Sequence, residues 1–387
     1  MKKILIFSTA YYPFVAGAEV AIKEITDRLS PEFEFDLITA KMDKSLPNVE
    51  KIGVVTVYRI GKGRPTMDKI FLPFRGAILA HKLQRQEQYF CFWGVMVTFG
   101  TGAGYVYNIF RMAVGQRKIP MVLTLQEGDS ESHLKYRWGG LIALSWRLAL
   151  MQTDILTGLS NFLLNRAKKN GYKGEEVLVP NGVDVENFSK VFDETQKKEI
   201  SLKLNKKDGD IFLVTISRLV KKNAVDDIIS SLVYLPENIS LIVLGVGDEG
   251  SNLQKQAQNL GVENRVKFLG FVSHTDIPKY LSVCDIFIRP SRSEGFGNSF
   301  IEAMASRLPV IATPVGGIPD FIDDKETGIF CSPDNPHSIA DTVNTLMNDK
   351  ILRDKITSNA YERVVSRYSW DKIGQKMKNL VFDRLAK

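Results

Sequence analysis

Residues Ser293–Gly317 read "SEGFGNSFIEAMASRLPVIATPVGG". A helix with an apolar face starts there beside Gly295 and Gly297, and it carries Glu302 eight positions after Glu294. One reading is local: Ser299-x-x-Glu302 fits a capping box, with Ser299 as N-cap and Glu302 reaching back to its amide. The other is chemical. Glycines next to a helix N-terminus let a ligand approach backbone amides, and a helix start favours anions.

Outward from this stretch, apolar strand-like runs alternate with amphipathic helical ones. The first half holds "KILIFS", "FEFDLIT", "VVTVYRI", "FWGVMVTFG", "PMVLTL" and "DILTGLS". The second holds "IFLVTIS", "ISLIVLG", "RVKFLG", "DIFIRPS" and "LPVIATP". Such alternation predicts βαβ units and parallel sheets. At 387 residues the chain is long for one core, so two domains are expected. "VLVPNGVDVENF", residues 177–188, carries a Pro-Asn-Gly turn signal and is read as the linker. The expected domains are therefore 1–183 and 184–369, with a terminal helix at about 370–387 packing back on the first.

Cys91, Cys284 and Cys331 are scattered and give neither a disulfide framework nor a metal-binding pair, which suits the interior of a cell. "MKKILIFSTAYYPFVAGA" mimics a signal peptide, but Pro13 and the tyrosine pair interrupt it and "KKILIFS" reads as a buried strand. The charge-free run from Gln88 to Phe110 is long enough for a membrane span. Its Gly94, Gly100, Gly102 and Gly104 point instead to a buried strand, a glycine loop and the start of a helix.

The net charge of +7 is uneven: residues 1–183 carry +8 and the remainder −1. Residues 51–118 alone hold 11 basic and 2 acidic residues, among them Arg59, Lys62, Arg64, Lys69, Arg75, Lys82 and Arg85. An anionic partner is expected there, either a lipid headgroup or a phosphorylated acceptor. No zinc-finger, RRM-like or helix-turn-helix signature speaks for nucleic acid.

Four pieces fall where loops leave strands. Gly17-Ala18-Glu19 precedes the first helix, and Arg218 and Lys222 follow "IFLVTIS". "GVGDEG", residues 245–250, and "PSRSEGFGNSF" follow two further strands. A forked guanidinium and a point charge after one strand suit a diphosphate, although each alone reads equally as a solvated surface cation. Neither a G-x-G-x-x-G fingerprint nor a P-loop is present. Asp208-Gly209-Asp210 precedes its strand and reads as a turn rather than a metal site. His81, His274 and His337 read as structural or exposed, while His133 lies close to Glu127 and Asp129 in "LQEGDSESH".

The Ser293–Gly317 block, continued through "IPDFI", resembles the E-x7-E region of retaining glycosyltransferases of family 4. "SRLVKKNAVDDII", "VPNGVD", "AGAE" and "YSWDKI" resemble that family's other landmarks, in order along nearly the whole chain. The resemblance implies an α/β GT-B fold, two Rossmann-like domains with parallel sheets facing across a cleft. It implies that Glu294 contacts hydroxyls of a donor sugar and Glu302 the nucleotide ribose. Gly295, Phe296, Gly297, Asn298 and Ser299 would line sugar and phosphate; base recognition is expected on the backbone around Gly270-Phe271-Val272, and Gly17 would let the donor approach backbone amides. Arg218 and Lys222 match the pair that neutralises the diphosphate. Two positions depart from the pattern. Asn223 stands where the common arrangement has lysine, and Gln126-Glu127-Gly128-Asp129 replaces a histidine loop, making Glu127 the candidate acceptor-side group, with Asp129 second.

The expected activity is metal-independent, retaining transfer of a hexose, of mannose or glucose type, from a nucleoside-diphosphate sugar to a glycan or lipid-linked acceptor. No cofactor, metal or nucleic acid is expected. The expected place is the cytoplasm, with peripheral attachment at the inner face of a membrane. The alternatives are a nucleotide-sugar-binding or membrane-docking protein without turnover, or another GT-B enzyme such as an epimerase or phosphorylase.

Overall fold

The computed structural model describes residues 1–97, 99–126, 128 and 141–385. Contacts divide the chain into Met1–Asn181 with Trp370–Lys387, and Gly182–Ser369.

The first unit is built on eight strands: β1 (Lys2–Phe7), β2 (Phe33–Ala40), β3 (Val49–Ile52), β4 (Val55–Ile60), β5 (Cys91–Val95), β6 (Met121–Leu125), β7 (Ile155–Gly158) and β8 (Glu175–Leu178). Their order is β3-β4-β2-β1-β5-β6-β7-β8, parallel except for the antiparallel β3–β4 pair. Central strands such as Cys91–Val95 and Met121–Leu125 are buried at every position. Helices cover both faces of such a sheet, which is why these strands read as unbroken apolar runs. β3 escaped the sequence reading because "VEKI" is a polar edge strand with alternating exposure.

The helix Trp370–Met377 lies against the helix Gly17–Leu29, tied by Arg28 Nε to Asp371 at 2.6 Å. Trp370, Ile373, Met377 and Phe382 enter the first unit's core.

The second unit has six strands: β9 (Ile211–Ile216), β10 (Ile239–Leu244), β11 (Val266–Gly270), β12 (Ile286–Arg289), β13 (Val310–Ala312) and β14 (Ile329–Phe330). The order is β11-β10-β9-β12-β13-β14, parallel throughout.

One expectation is corrected. Gly100, Gly102 and Gly104 do not form a loop; they lie in the helix Phe99–Ala113. Their missing side chains allow close approach, since a Cβ on Gly100 would stand 2.4 Å from the Ser8 carbonyl carbon and one on Gly104 3.0 Å from the Phe7 ring. The division between Asn181 and Gly182 falls within 177–188, and that stretch also contains the end of β8 and the short helix Val185–Phe188. Asn181, Val183 and Phe188 are buried, so this connection is packed on both sides of the division at Asn181. Among the described residues, no helix is long and apolar enough to cross a membrane.

Candidate functional site

The strand order of the second sheet reverses between β9 and β12, which pair through Leu213–Ile286 and Val214–Phe287. Open parallel sheets bind ligands beyond the carboxyl ends of the strands that flank such a reversal. Arg218 and Lys222 follow β9, and Glu294 through Ser299 follow β12. The second sheet thus brings together at one point residues more than 70 apart in sequence.

After β9 the Arg218 side chain is exposed, with no hydrogen bond or ion pair among the described residues. Lys221–Asn223 makes one 3-10 turn, and Ala224 takes φ +54° before the helix Val225–Ser231. Buried Asn223 donates from Nδ2 to the Arg218 carbonyl at 2.6 Å. The "GVGDEG" loop locks the other side, with Leu219 N donating to Val246 O at 3.0 Å and Glu249 N to Leu219 O at 3.0 Å.

After β12 the backbone is equally constrained. Gly316 has φ +59°, and a Cβ there would stand 1.9 Å from the Glu294 carbonyl oxygen. Gly317 N donates to that oxygen at 3.1 Å, so the glycine pair closing the opening stretch lies directly on Glu294. The Glu294 carboxylate is buried, accepting from Gly295 N at 3.0 Å on Oε1 and from the Arg289 guanidinium on Oε2.

The capping box is corrected. The helix Asn298–Ala305 starts after Gly297, whose φ of +93° puts the cap there and leaves no side-chain cap. Ser299 Oγ accepts instead from Arg289 Nη1 at 3.0 Å, and Glu302 Oε1 meets His274 Nε2 at 3.0 Å. Both side chains are released for tertiary partners. The Phe296 ring is core, 5.0 Å from Phe321 and 5.9 Å from Tyr368, so only its main chain can face a ligand. Phe271 is exposed and Val272 half-buried after Gly270, whose carbonyl accepts from Gly245 N at 2.8 Å.

Three residues carry this geometry without being site candidates from the sequence: Arg289, Arg292 and His274, which reads there as structural or exposed. Arg289 ends β12, and its charge inside "DIFIRPS" was the available signal, because buried strands rarely hold one unpaired. His274 touches Glu302 across 28 residues and stacks edge-on against Phe188. Arg292 donates to Lys221 O at 2.6 Å, to both Asp226 oxygens and to Asp227 at 2.8 Å, and its amide donates to Lys222 O at 2.8 Å. Burial pushes Asp227 up to about 6, although the Arg292 charge pulls the other way.

In the first unit the sheet reverses between β1 and β5. Gly17 opens the helix that follows β1, and Glu19 folds back to accept from Ala16 N at 2.8 Å. Gly100 N, in the first turn of the helix Phe99–Ala113, donates to Thr9 Oγ1 at 3.1 Å and ties that helix to the loop after β1. Glu127, Asp129 and His133 lie outside the described residues. Asp208–Asp210 sits at the amino end of β9, opposite Arg218, with Asp210 Oδ2 accepting from Lys207 N at 2.8 Å.

Residues 196–363 match the family model described as glycosyl transferases group 1. The chain is 26% identical to an uncharacterized glycosyltransferase of Methanocaldococcus jannaschii, covering 98% of this chain and 97% of that one. It is 29% identical to N-acetyl-alpha-D-glucosaminyl L-malate synthase of Bacillus anthracis, over 62% of each chain. Among solved structures it resembles the sucrose-phosphate synthase of Thermosynechococcus elongatus, with a TM-score of 0.84 at 18% identity and full coverage of both chains. The fold is GT-B, and the family match and relatives together support a glycosyltransferase.

Proposed function

We propose that this chain moves a hexose from a nucleoside-diphosphate sugar to an anionic or lipid-linked acceptor, with retention and without a divalent cation. One observation carries the reading: Arg218 and Lys222 follow β9, and Glu294 and the helix Asn298–Ala305 follow β12, the two strands that flank the sheet reversal. In this reading Glu294 accepts hydrogen bonds from hydroxyls of the donor sugar and Glu302 from the ribose. Arg218, Lys222 and the amides from Gly295 to Ser299 stabilise charge growing on the departing diphosphate. That is the work a metal would otherwise do. The bond from the anomeric carbon to the phosphate oxygen breaks as the acceptor oxygen bonds to that carbon from the same face. The acceptor's proton passes to the leaving phosphate, so no enzyme nucleophile is needed.

The acceptor surface is assigned to the basic first unit. Met67, Phe71, Phe74 and Ile78 recur at steps of four, three and four along the helix Pro65–Glu87, and they are 48%, 40%, 64% and 73% exposed. That spacing puts them on one face. Exposed Arg64, Arg75, Lys82 and Arg85 flank the stripe, with the Arg75 guanidinium 5.2 Å from the Phe71 ring. Apolar side chains beside cations suit an anionic lipid surface. Arg59 is withdrawn from this set, because it is buried, ion-paired with Glu50 and bonded to the carbonyls of Pro47 and Tyr12. The relative named N-acetyl-alpha-D-glucosaminyl L-malate synthase is named for a product containing malate, a dicarboxylate, which also favours an anionic acceptor.

The deciding experiment is release of nucleoside diphosphate from UDP-, GDP- and ADP-sugars, with and without lipid-linked acceptors. Binding without time-dependent release from any donor would favour the non-catalytic alternative.

A further inference from the structure

Arg289 is a cation buried where none is needed for the sheet. It is 8% exposed, and its guanidinium lies over the Phe300 ring at 5.5 Å. Nη1 donates to Ser299 Oγ at 3.0 Å, and Nη2 donates to Asn223 Oδ1 at 2.9 Å and to Glu294 Oε2. Nε is buried and has no hydrogen bond among the described residues. Asn223 passes the link on, through Nδ2, to the Arg218 carbonyl. One planar fork therefore joins the loop after β9, the loop after β12 and the first turn of the helix Asn298–Ala305. Lysine has a single ammonium and cannot span three such directions, whereas the five fixed donors of arginine can.

We propose that Arg289 is the positioning residue of the donor site. It fixes the Glu294 carboxylate for the sugar and, through Asn223, the main chain that carries Arg218 for the diphosphate. With both Nη atoms committed to Ser299, Asn223 and Glu294, it acts through these partners. The inference rests on the proposed function for what Glu294 and Arg218 contact, but the mechanical coupling stands on geometry alone.

The test separates sugar recognition from nucleotide recognition. Calorimetric titration with a nucleoside diphosphate and with the matching nucleotide sugar gives the ratio of their affinities. In Arg289→Met that ratio is expected to fall at least tenfold, with a smaller loss for the diphosphate alone. Arg289→Lys should restore part of it, since an ammonium still reaches Glu294. Asn223→Ala, which keeps the Arg289–Glu294 pair, should leave the ratio near wild type while lowering kcat severalfold. A general packing defect would weaken both ligands alike, and that result overturns the proposal.

A readout free of turnover covers the case in which the wild type binds no sugar nucleotide and the functional reading fails. Amide hydrogen exchange in Arg289→Met should lose protection at 218–223 and 293–299 together, with β10 and β13 unchanged. Loss at one loop only, or across the whole unit, refutes the coupling. Should Arg289→Met fail to fold, Arg289→Met with Glu294→Gln removes the stranded carboxylate, and Asn223→Ala supplies the exchange experiment for the loop after β9. Retention of wild-type protection there in Asn223→Ala would equally refute the link.

Discussion

Replacing Arg292 with methionine asks how firmly the two loops of the second unit hold one another. The guanidinium donates to Lys221 O at 2.6 Å, to Asp226 at 2.8 and 3.2 Å, to Asp227 at 2.8 Å and to Asp334 at 2.5 Å. Methionine keeps much of the stem and removes all five contacts. The Asp227 side chain is 13% exposed, and burial lifts its value to about 6. Folded Asp227 thus retains a proton that the unfolded chain, titrating near 4, has released. Its contribution to stability is therefore greatest at low pH and declines as pH rises from about 4 to about 6. Without Arg292 the folded value moves higher and the decline extends past about pH 6. Each further unit is worth about 1.4 kcal/mol, and solvent screening roughly halves it because Arg292 and Asp226 are each 26% exposed. The lost charged hydrogen bonds add about 1–2 kcal/mol at any pH. We expect a loss of about 1–2 kcal/mol at about pH 5, with about 0.7 kcal/mol more at about pH 8 per unit of upward movement. Urea unfolding at both pH values, with an unchanged slope, measures it. Equal losses at the two pH values would refute the account of Asp227, and a loss below about 0.5 kcal/mol would refute the clamp.

On the proposed function, Glu294→Gln and Arg218→Ala each remove a charge-assisted contact of about 1.5–3 kcal/mol, so transfer should fall tenfold or more with the fold intact. Near-wild-type kcat/KM in either folded variant would remove that residue from the site. Turnover should persist in excess EDTA, because Arg218 and Lys222 supply the positive charge; activity lost and then restored by Mg²⁺ or Mn²⁺ would contradict this. Vesicles rich in phosphatidylserine should co-sediment the protein at low salt, and Phe74→Glu with Ile78→Glu should abolish it. Equal binding to neutral and anionic vesicles, or none to either, would remove the membrane from the reading.

The parts of the fold legible in the sequence were those where both faces of a strand are buried. "KILIFS" and "IFLVTIS" announce β1 and β9 because no polar side is needed. β14 has two residues, Ile329 and Phe330, and offers no period to detect. The helix Phe99–Ala113 was hidden because its glycines lower helix propensity, while close passage of Ser8, Pro73 and Phe7 favours them there. At the candidate site, positions after β9 and β12 were legible as loop residues following strands. The partners were not: Glu302 meets His274 and Arg289 meets Asn223 only after the sheet has aligned segments 28 and 66 residues apart. Asp227, too, has its raised value from burial that no sequence pattern displays.

Asn223 and Arg289 explain each other. Asn223 stands where the resembled pattern commonly has lysine, and its amide bridges the Arg218 carbonyl and the Arg289 guanidinium. A lysine at 223 would set a second buried cation beside Arg289, with Glu294 the carboxylate bonded to that guanidinium. An unpaired buried charge is worth about 3–5 kcal/mol of destabilisation. Asn223→Lys should therefore lower thermal stability sharply while Arg289 remains. Adding Arg289→Leu to Asn223→Lys should recover most of that loss, because the new ammonium then pairs with Glu294. The recovery is a coupling, and a double-mutant cycle on thermal unfolding measures it. If Asn223→Lys is tolerated with Arg289 present, or if the double variant is as unstable as the two losses added together, the two positions do not share one charge.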